Sequence, residues 1–540
     1  MDEMTDPPPP VGAWKRPATR RAALSAAVAT AAVATAAVVL GRQGDGTRGP
    51  AAPSPAAGAT PGSSDAQAGG QPIADPRRRA AHLLRRAGFG ATQAEIDEFS
   101  SLSISEAVDR LVDFAAIDNS GLDRRLAAAN LNLTDFGAGL AIDMQRWWFM
   151  RMAYTARPLE ERMTYIWHGL LTSQLSKIGN QRAKLLVRQN ELFRSMALGR
   201  YDDLLQAVSR DPAMLYYLDT IESTKDHPNE NYARELMELF SMGVGNYTET
   251  DVREAARAFT GWRLTPPPRI PLPAGATQAE RNAAQQQAMA AWEPEFVLQS
   301  RLHDDGAKVF LGRSGNLGGE DIVAAVMEQP ATGRYITRRL FTELANDDPR
   351  PETLEALLQT WDETGHDVRE VVRAILKSDE FNSEKSYRAR VRSPVELVAS
   401  MVRSLRIDTD FRQLLQVRRG SSARATNAYR AMDQALFEPH SVAGWPGGAN
   451  WLSSGAFFAR ANFVDQVLFP GGRPLPLPAL AGASGPAELV DLAVDLLVDG
   501  EMAQASREAI IQAASEVPGG AERAAVVAYL VLAGPEYQLA

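Results

Sequence analysis

The sequence predicts a mainly α-helical protein, a multi-helix globular body with a Pro/Gly-rich insertion and few or no strands. Apolar residues recur at helical spacing in long segments such as DMQRWWFMRMAYTARPLEERMTYIWHGLL, RAKLLVRQNELFRSMALGRYDDLLQAV and ETLEALLQTWDETGHDVREVVRAIL. That period is typical of amphipathic helices. Alternating runs bounded by turns, which would indicate strands, are scarce. We therefore expect helices packed on helices.

Several helix starts carry a capping box, in which a hydroxyl side chain caps the backbone and an acid three residues later reaches back. The pattern occurs at Thr92 with Glu95, at Ser103 with Glu106, and at Thr248 with Asp251. Each pair predicts a helix that begins at the next residue.

Composition excludes several classes of function. The 540 residues are 45% hydrophobic and 23% charged, which is ordinary for a soluble globular protein. A net charge of -9 argues against nucleic-acid binding, because a duplex requires a clustered basic face. The chain has no cysteine, so disulfides, thiolate metal sites and cysteine nucleophiles are excluded.

Residues 1–40 are predicted to be an export signal or an N-terminal membrane anchor. Basic residues, among them Arg20 and Arg21, precede the apolar run SAAVATAAVATAAVVL, as in export signals. The order TRRAAL resembles a twin-arginine signal. No clean small-x-small cleavage site follows Leu40, and residues 22–41 are also long enough to anchor the protein. The membrane is expected to be contacted only through this N-terminal segment.

Composition also divides the rest of the chain. A Gly/Pro/Ala/Ser-rich stretch cannot bury enough apolar surface to fold, and a proline-led, Gln-rich stretch interrupts the helical pattern. The predicted parts are a disordered linker at 41–74, a helical body at 75–469 with a surface insertion near 265–293, a Pro-rich connector at 470–486 and a C-terminal helical segment at 487–540.

A polar stripe is the main candidate site. On a helix, Asn231, Arg234, Glu235 and Glu238 fall on one face, opposite a face of apolar residues. A solvated surface explains such a stripe, yet two acids three residues apart disfavour each other without a cation, and clustered ionisable groups often mark sites. Asn229 adds a second amide just before the helix. We predict that the stripe faces an internal polar pocket.

Other candidates are histidines and tryptophans. His168 lies in the aromatic helical segment MTYIWHGLL, where a core position competes with proton transfer. His303 and Asp304 open HDDGAKVFLG; imidazole and carboxylate suit zinc or iron and adjacent acids suit calcium, but a solvated turn explains them equally well. The tryptophans of WPGGANW, Trp445 and Trp451, are placed either to stack on a sugar or to pack in the core.

Common catalytic motifs are missing from the sequence. It contains no HExxH zinc motif, no GxSxG nucleophile elbow, no GxGxxG after a strand, and no phosphate loop that ends in Gly-Lys-Ser/Thr. Those motifs mark zinc proteases, serine hydrolases, dinucleotide enzymes and nucleotide-triphosphate enzymes. The candidate chemistry therefore rests on the residues named above.

Three segments resemble one bacterial family. HLLRRAGFG at 82–90, the run from Asn229 to Trp262, and LFEPHSVAGWPGGANW at 436–451 are similar to the family known as domain of unknown function 1800, from about Arg77 to Phe463. The His303-Asp304 pair resembles a His-Asp element of that family. The resemblance implies an exported protein, often with a twin-arginine-type signal, and an exported sulfatase-like partner. It implies no established activity.

The expected function is an exported helical enzyme, a metal-assisted hydrolase that acts on an extracytoplasmic polymer. The alternative is a non-catalytic binding or assembly factor that supports a partner exported enzyme at the cell surface. The cofactor in the first interpretation is a divalent metal. The residues assigned to catalysis are Glu235, Glu238 and His168; those assigned to ligand binding are Asn229, Asn231, Arg234, Trp262, Trp445 and Trp451; those assigned to the metal are His303 and Asp304.

Overall fold

A computed structural model of the chain describes residues 70–133, 140–417, 426–427 and 430–540. The prediction of a mainly α-helical body is confirmed. The α-helices are α1 Pro76–Arg86, α2 Gln93–Ser100, α3 Ile104–Val112, α4 Ser120–Ala128, α5 Leu140–Tyr154, α6 Pro158–Leu170, α7 Leu175–Ile178, α8 Ala183–Ser195, α9 Tyr201–Ser209, α10 Pro212–Tyr217, α11 Asn231–Glu238, α12 Glu249–Ala258, α13 Gln278–Ala290, α14 Gly319–Met327, α15 Pro330–Leu344, α16 Pro351–Glu363, α17 Val368–Lys377, α18 Pro394–Ser404, α19 Arg412–Leu415, α20 Ser454–Leu468, α21 Pro486–Val498, α22 Gln504–Ser515 and α23 Ala521–Leu532.

Short strands form two-stranded antiparallel pairs. The strands are β1 Trp262–Leu264, β2 Phe296–Leu298, β3 Lys308–Phe310, β4 Arg313–Gly315, β5 Gln416–Val417 and β6 Thr426–Asn427. β1 pairs with β2, β3 with β4 and β5 with β6. Hairpins of this size are marginal by themselves, so their stability comes from the helices that they contact.

The predicted capping boxes all form. The hydroxyls of Thr92, Ser103 and Thr248 each accept a hydrogen bond from the backbone N–H three residues later, and the acid at that position accepts from the cap backbone. The same device starts α13 at Thr277 and α18 at Ser393. Each satisfies backbone donors that a helix start leaves unpaired.

Helices α11 and α12 form a helical hairpin. Tyr232, Ala233 and Leu236 of α11 are buried, and so are the apolar residues of α12. The chain leaves the first helix through Gly243, whose φ is 79°, and leaves the second through Gly261, whose φ is 76°. A side chain at Gly261 would also meet the backbone of Gln299 and His303 at under 3.0 Å, so glycine is required there.

The predicted insertion near 265–293 lies between the paired strands β1 and β2. It contains α13, a helix with no buried residue. Its end is fixed by Trp292, which is buried and donates a hydrogen bond from Nε1 to the Thr265 carbonyl at 2.7 Å. The segment is therefore an exposed helix on a short two-stranded base.

The last residues of the predicted linker 41–74 belong to the fold. The Ile73 side chain is buried, and its N–H donates to the Asn382 carbonyl at 2.9 Å. Pro72 pairs with Ser383 in an isolated bridge. The composition of residues 41–74 predicted no buried contact, but the apolar side chain of Ile73 makes one.

One apolar core joins distant parts of the chain. It runs from Ala80 in α1 to Tyr537 and includes buried residues of α21 and α23. The predicted connector 470–486 is tied in by Leu477 and Leu480, which are buried. Short 3-10 helices complete the described chain, at Phe114–Ala116, Asn180–Arg182, Thr220–Glu222, Ser300–Leu302, Arg430–Met432, Gly448–Leu452, Pro470–Gly472, Pro478–Leu480 and Glu536–Gln538.

The predicted signal or anchor at 1–40, with its candidate span 22–41, lies outside the described residues, as do residues 41–69 of the linker. Among the helices that are described, none has the length and apolarity needed to cross a bilayer.

Candidate functional site

The polar stripe of α11 lies at the surface. Arg234 donates from Nη1 and Nη2 to the two carboxylate oxygens of Glu249 at 2.8 and 2.9 Å, and from Nη2 to Glu230 at 3.2 Å. Glu238 accepts a hydrogen bond from the Tyr247 hydroxyl at 2.9 Å. These partners belong to the helical hairpin itself or to the residue just before it. The predicted internal pocket around the whole stripe is therefore not formed, because Arg234 and Glu238 bind residues of the hairpin itself.

The two amides shape the start of α11. Asn229 accepts the backbone N–H of Asn231 at its Oδ1, at 2.9 Å, and its own N–H donates to the Ser223 hydroxyl at 3.0 Å. The Asn231 side chain is exposed. Asparagine is favoured in such turns because its side chain replaces a backbone acceptor. The turn accounts for Asn229 without a ligand.

His303 and Asp304 do not fit a metal ion. Both oxygens of Asp304 accept from Arg257, at 2.7 and 3.2 Å, and this guanidinium lowers the pKa of Asp304. His303 is buried, and its Nδ1 lies 2.8 Å from the Thr260 carbonyl. Over the described ranges, no group of three or more His, Asp or Glu side chains is placed to hold a metal. The pair instead joins α12 to the loop before β3.

Two of the tryptophans belong to apolar clusters. Trp262 is 1% exposed, and its ring lies edge-on to Phe259 at 4.9 Å and to Phe296 at 4.8 Å. Trp451 packs with Val391 and Leu539 in a small second cluster. For these residues, core packing is the interpretation that the structure favours.

Glu235 differs from the rest of the stripe. Its side chain is half-buried, and no described residue forms a hydrogen bond or an ion pair with its carboxylate. Burial raises its pKa and the neighbouring Glu238 adds to the effect, while Arg234 opposes it. A carboxyl with a raised pKa is suited to donate a proton near neutral pH.

A second carboxyl acts on the same tyrosine as Glu235. Burial raises the pKa of Tyr217, at the end of α10, and the charges of both Glu235 and Glu438 raise it further, while a hydrogen bond with Thr172 lowers it. Glu438 is half-buried, and its carboxylate, like that of Glu235, forms no hydrogen bond with a described residue. The charges of two carboxylates therefore act on one phenol; we call Glu235, Glu438 and Tyr217 the carboxyl–phenol site.

Glu438 is positioned by a chain segment held through its backbone. Four of its carbonyls accept hydrogen bonds at 2.7–3.1 Å. The donors are Gln145 Nε2 to Leu436, Leu175 N to Phe437, Gln174 Nε2 to Pro439 and Thr172 Oγ1 to Val442. Phe437 has a φ of 65°, a strained value for an aromatic residue. Strain of this kind persists only where the surroundings enforce it, and it often occurs at functional sites.

His168 and Trp445 meet beside this segment. Their ring centroids lie 5.5 Å apart, and Trp148 and Phe437 pack on His168 from other sides. Burial lowers the pKa of His168 to about 3, so the imidazole is neutral at ordinary pH. His168 Nε2 and Trp445 Nε1 are buried and have no acceptor or donor in the described part of the protein. Trp445 is only half-buried, so its ring remains partly accessible.

The comparisons with known proteins agree with the motifs. The model of the family described as "Protein of unknown function (DUF1800)" matches residues 82–539. The chain belongs to this family. The match includes α21, α22 and α23 and so continues past Phe463, where the resemblance was expected to end. No curated protein and no solved structure matches the chain.

Of the DUF1800 residues predicted to be functional, Glu235 is at the carboxyl–phenol site, and His168 and Trp445 lie against the segment that carries Glu438. Tyr217 and Glu438 were missed. Glu438 stands inside the LFEPHSVAGWPGGANW motif, where its acid between Phe437 and Pro439 was an available signal. Tyr217 lies in the apolar run AMLYYL, and only the fold brings it to the other two residues.

Proposed function

We propose that this DUF1800 protein is an exported hydrolase that acts on an extracytoplasmic polymer and uses the carboxyl–phenol site. The observation that carries the proposal is that two carboxylates act on one tyrosine: burial raises the pKa of Tyr217, and the charges of both Glu235 and Glu438 raise it further. Paired carboxyls are the usual acid and base of hydrolytic enzymes that cleave glycosides. Both carboxyls are half-buried and unpaired by described residues, so both are free to contact a substrate.

The raised pKa of Glu235 assigns it the role of general acid. In the proposed reaction, protonated Glu235 donates its proton to the leaving group as the scissile bond breaks. Glu438 takes a proton from a water molecule, whose oxygen forms the new bond at the other side of the cleaved bond. A proton passes from Glu438 to Glu235 through solvent and restores the site. Tyr217 orients the water or a substrate oxygen with its hydroxyl.

A divalent metal at His303 and Asp304 has no part in this reaction, because Arg257 already occupies the Asp304 carboxylate. The tryptophan that would contact a polymer is Trp445. Its partly accessible ring lies against His168, and the residue before it, Gly444, lies close to Gly169 and Thr172. Aromatic rings with one accessible face commonly support polymer subunits.

The test is hydrolysis of purified polymers by the full-length protein. Peptidoglycan sacculi and a cell-surface polysaccharide are incubated with the protein, and released reducing ends and amino groups are measured separately. Glu235→Gln and Glu438→Gln should each lower the rate by about 100-fold or more, as expected for loss of a general acid or base. Tyr217→Phe should lower the rate without changing the fold, as measured by circular dichroism.

Glu249→Gln is the matched control, because Glu249 lies on the same helical hairpin and bonds only to Arg234 among described residues. Its rate should equal that of the wild type. If Glu235→Gln, Glu438→Gln and Tyr217→Phe all keep full activity, the carboxyl–phenol site is not catalytic. If no polymer is cleaved but the wild type binds one, or binds an exported sulfatase-like protein, the binding or assembly role replaces the hydrolase.

A further inference from the structure

A cleft of about 440 Å³ lies where the start of α1 meets the C-terminal residues of the chain. That volume is within the range of binding sites for small ligands. The lining comes from Arg78, from the segment 384–388, from residues 501–503 between α21 and α22, and from the segment 535–539. The lining contains no residue of the carboxyl–phenol site. The cleft is therefore a separate candidate binding site.

Part of the lining is apolar and held in place by the fold. Met502, Ala503, Pro535 and Leu539 supply it. Leu539 is buried in the small second cluster with Val391, and the two residues also pair in an isolated bridge. This surface is formed before a ligand arrives, which limits the entropy lost on binding. It is suited to contact the methylene groups of an aliphatic chain.

Most of the polar lining is charged, and carboxylates outnumber guanidinium groups in it. The carboxylates belong to Glu384, Glu501 and Glu536, and the guanidinium groups belong to Arg78 and Arg388. Two of the acids share Arg78, whose Nη1 and Nη2 each lie 3.1 Å from an oxygen of Glu384 and whose Nε lies 3.0 Å from Glu501. The cleft therefore attracts a cation more strongly than an anion.

The carboxylate of Glu536 is the acceptor that remains for a ligand. Arg388 is engaged by the protein itself, since Nη1 donates to the Glu536 carbonyl and Nη2 to Asp499, both at 3.2 Å. The Glu536 side chain is half-buried, and its carboxylate forms no hydrogen bond or ion pair with a described residue. Burial removes part of the hydration of a charged group, so a cationic donor at this carboxylate is favoured.

We propose that the cleft binds a basic group carried on a short aliphatic chain. This is the chemistry of a lysine or arginine side chain in a peptide, and also of a free aliphatic diamine. The ammonium or guanidinium group donates hydrogen bonds to the Glu536 carboxylate, with Glu501 as a second acceptor. The methylene groups lie against Met502, Pro535 and Leu539.

Calorimetric titration of the full-length protein tests the chemistry of the ligand with two probes, diaminopentane and trilysine amide. At least one of them should bind at a single saturable site. The same probes acetylated on every amino group keep the aliphatic chain but lose the charge, and should not bind. Tighter binding of the diamine assigns the basic group to a small molecule, and tighter binding of trilysine amide assigns it to a peptide.

Variants of the lining test the position of the ligand. Glu536→Gln should weaken binding by about 10-fold or more, as expected for the loss of a charged hydrogen bond, and should keep the fold. Ala503→Trp places a large side chain at an exposed position of the lining and should block the cleft. The control, Glu363→Gln, removes the same charge from an exposed position on α16, where Glu363 accepts from Gln359, and should bind like the wild type.

Four results would overturn the proposal. They are the absence of saturable binding by both amines, equal binding of the amines and their acetylated forms, wild-type affinity in folded Glu536→Gln, and wild-type affinity in Ala503→Trp with an unchanged Tm. A loss of affinity in Glu363→Gln as large as that in Glu536→Gln would also overturn it, because attraction to the net charge of the protein would then explain the binding.

Discussion

At the scale of single residues, Glu235 is the site residue with a clear pH signature. Its pKa in the folded protein is raised above the ordinary value of 4.5, so the unfolded chain loses the proton first. The free energy of unfolding therefore decreases as pH rises from about 4.5 through the folded pKa. Glu235→Gln removes this loss and should be more stable than the wild type at pH 7. We expect at most about 1 kcal/mol, because solvent screens the exposed half of the carboxyl.

Urea unfolding of the wild type and of Glu235→Gln at a series of pH values measures this difference, which should vanish below the ordinary carboxyl pKa. For Glu249→Gln, the change in the free energy of unfolding at neutral pH should have the opposite sign. The hydrogen bond from Arg234 lowers the pKa of Glu249, so Glu249 stabilises the fold at neutral pH and ceases to do so as pH falls. Equal pH profiles for the two variants would contradict the environments described for them.

The sequence identified Glu235 through acid density on one helix face, which is local information. It could not identify Tyr217, because no pattern in AMLYYL distinguishes a site tyrosine from a core tyrosine. His303 and Asp304 were assigned to a metal because imidazole and carboxylate are good ligands. Their partner Arg257 lies on α12, distant in sequence, and it converts the acid into half of an ion pair.

At the scale of elements, the segment that carries Glu438 is fixed by Gly444. Its φ is 91°, and a Cβ at this position would lie 2.6 Å from the Gly169 carbonyl oxygen. Gly444→Ala should therefore displace the segment and destabilise the protein by roughly 1–3 kcal/mol. Hydrolysis should fall as well, because Glu438 moves with the segment. Urea unfolding and the polymer assay measure the two effects.

Gly447→Ala is the matched control. Gly447 lies in the same motif, has a φ of -98° and has no atom within 4 Å of an added Cβ. It should leave stability and activity close to those of the wild type. A similar loss in both variants would show that the motif is intolerant of any change, and that the contact with Gly169 is not the cause.

Local signals explain which elements could be predicted. The capping boxes of α2, α3 and α12 were found because both partners lie within one turn. Helix α13 was missed, although Thr277 and Glu280 form the same box, because the proline-led, Gln-rich context indicated an insertion without regular structure. β1 and β2 were missed because each has three residues and its partner lies beyond that insertion.

At the scale of the whole molecule, the helical class followed from the 3.6-residue period, but the packing of the helices did not. Arg86 of α1 donates from Nε to the Leu344 carbonyl and from Nη2 to the Glu343 carbonyl, at 2.9 and 2.8 Å. These contacts join α1 to the end of α15. The sequence shows Arg86 only as part of a basic helix end, and gives no sign of a buried guanidinium that caps another helix.

Such long-range contacts also bear on export. Ile73 bonds to Asn382, and Arg85 bonds to Asp499, so the described fold is complete only after almost the whole chain has been made. A twin-arginine route, which carries folded proteins, suits a chain of this kind.

We therefore expect export to depend on Arg20 and Arg21. Replacing both with lysine should leave the protein in the cytoplasm, as measured by cell fractionation, whereas Arg16→Lys, which keeps the pair, should be exported normally. If the apolar run of residues 22–41 is retained, the exported protein should stay in the membrane fraction after a salt wash. Unchanged export of the double-lysine variant would instead assign the protein to the general secretory route, which requires the body to remain unfolded until it has crossed.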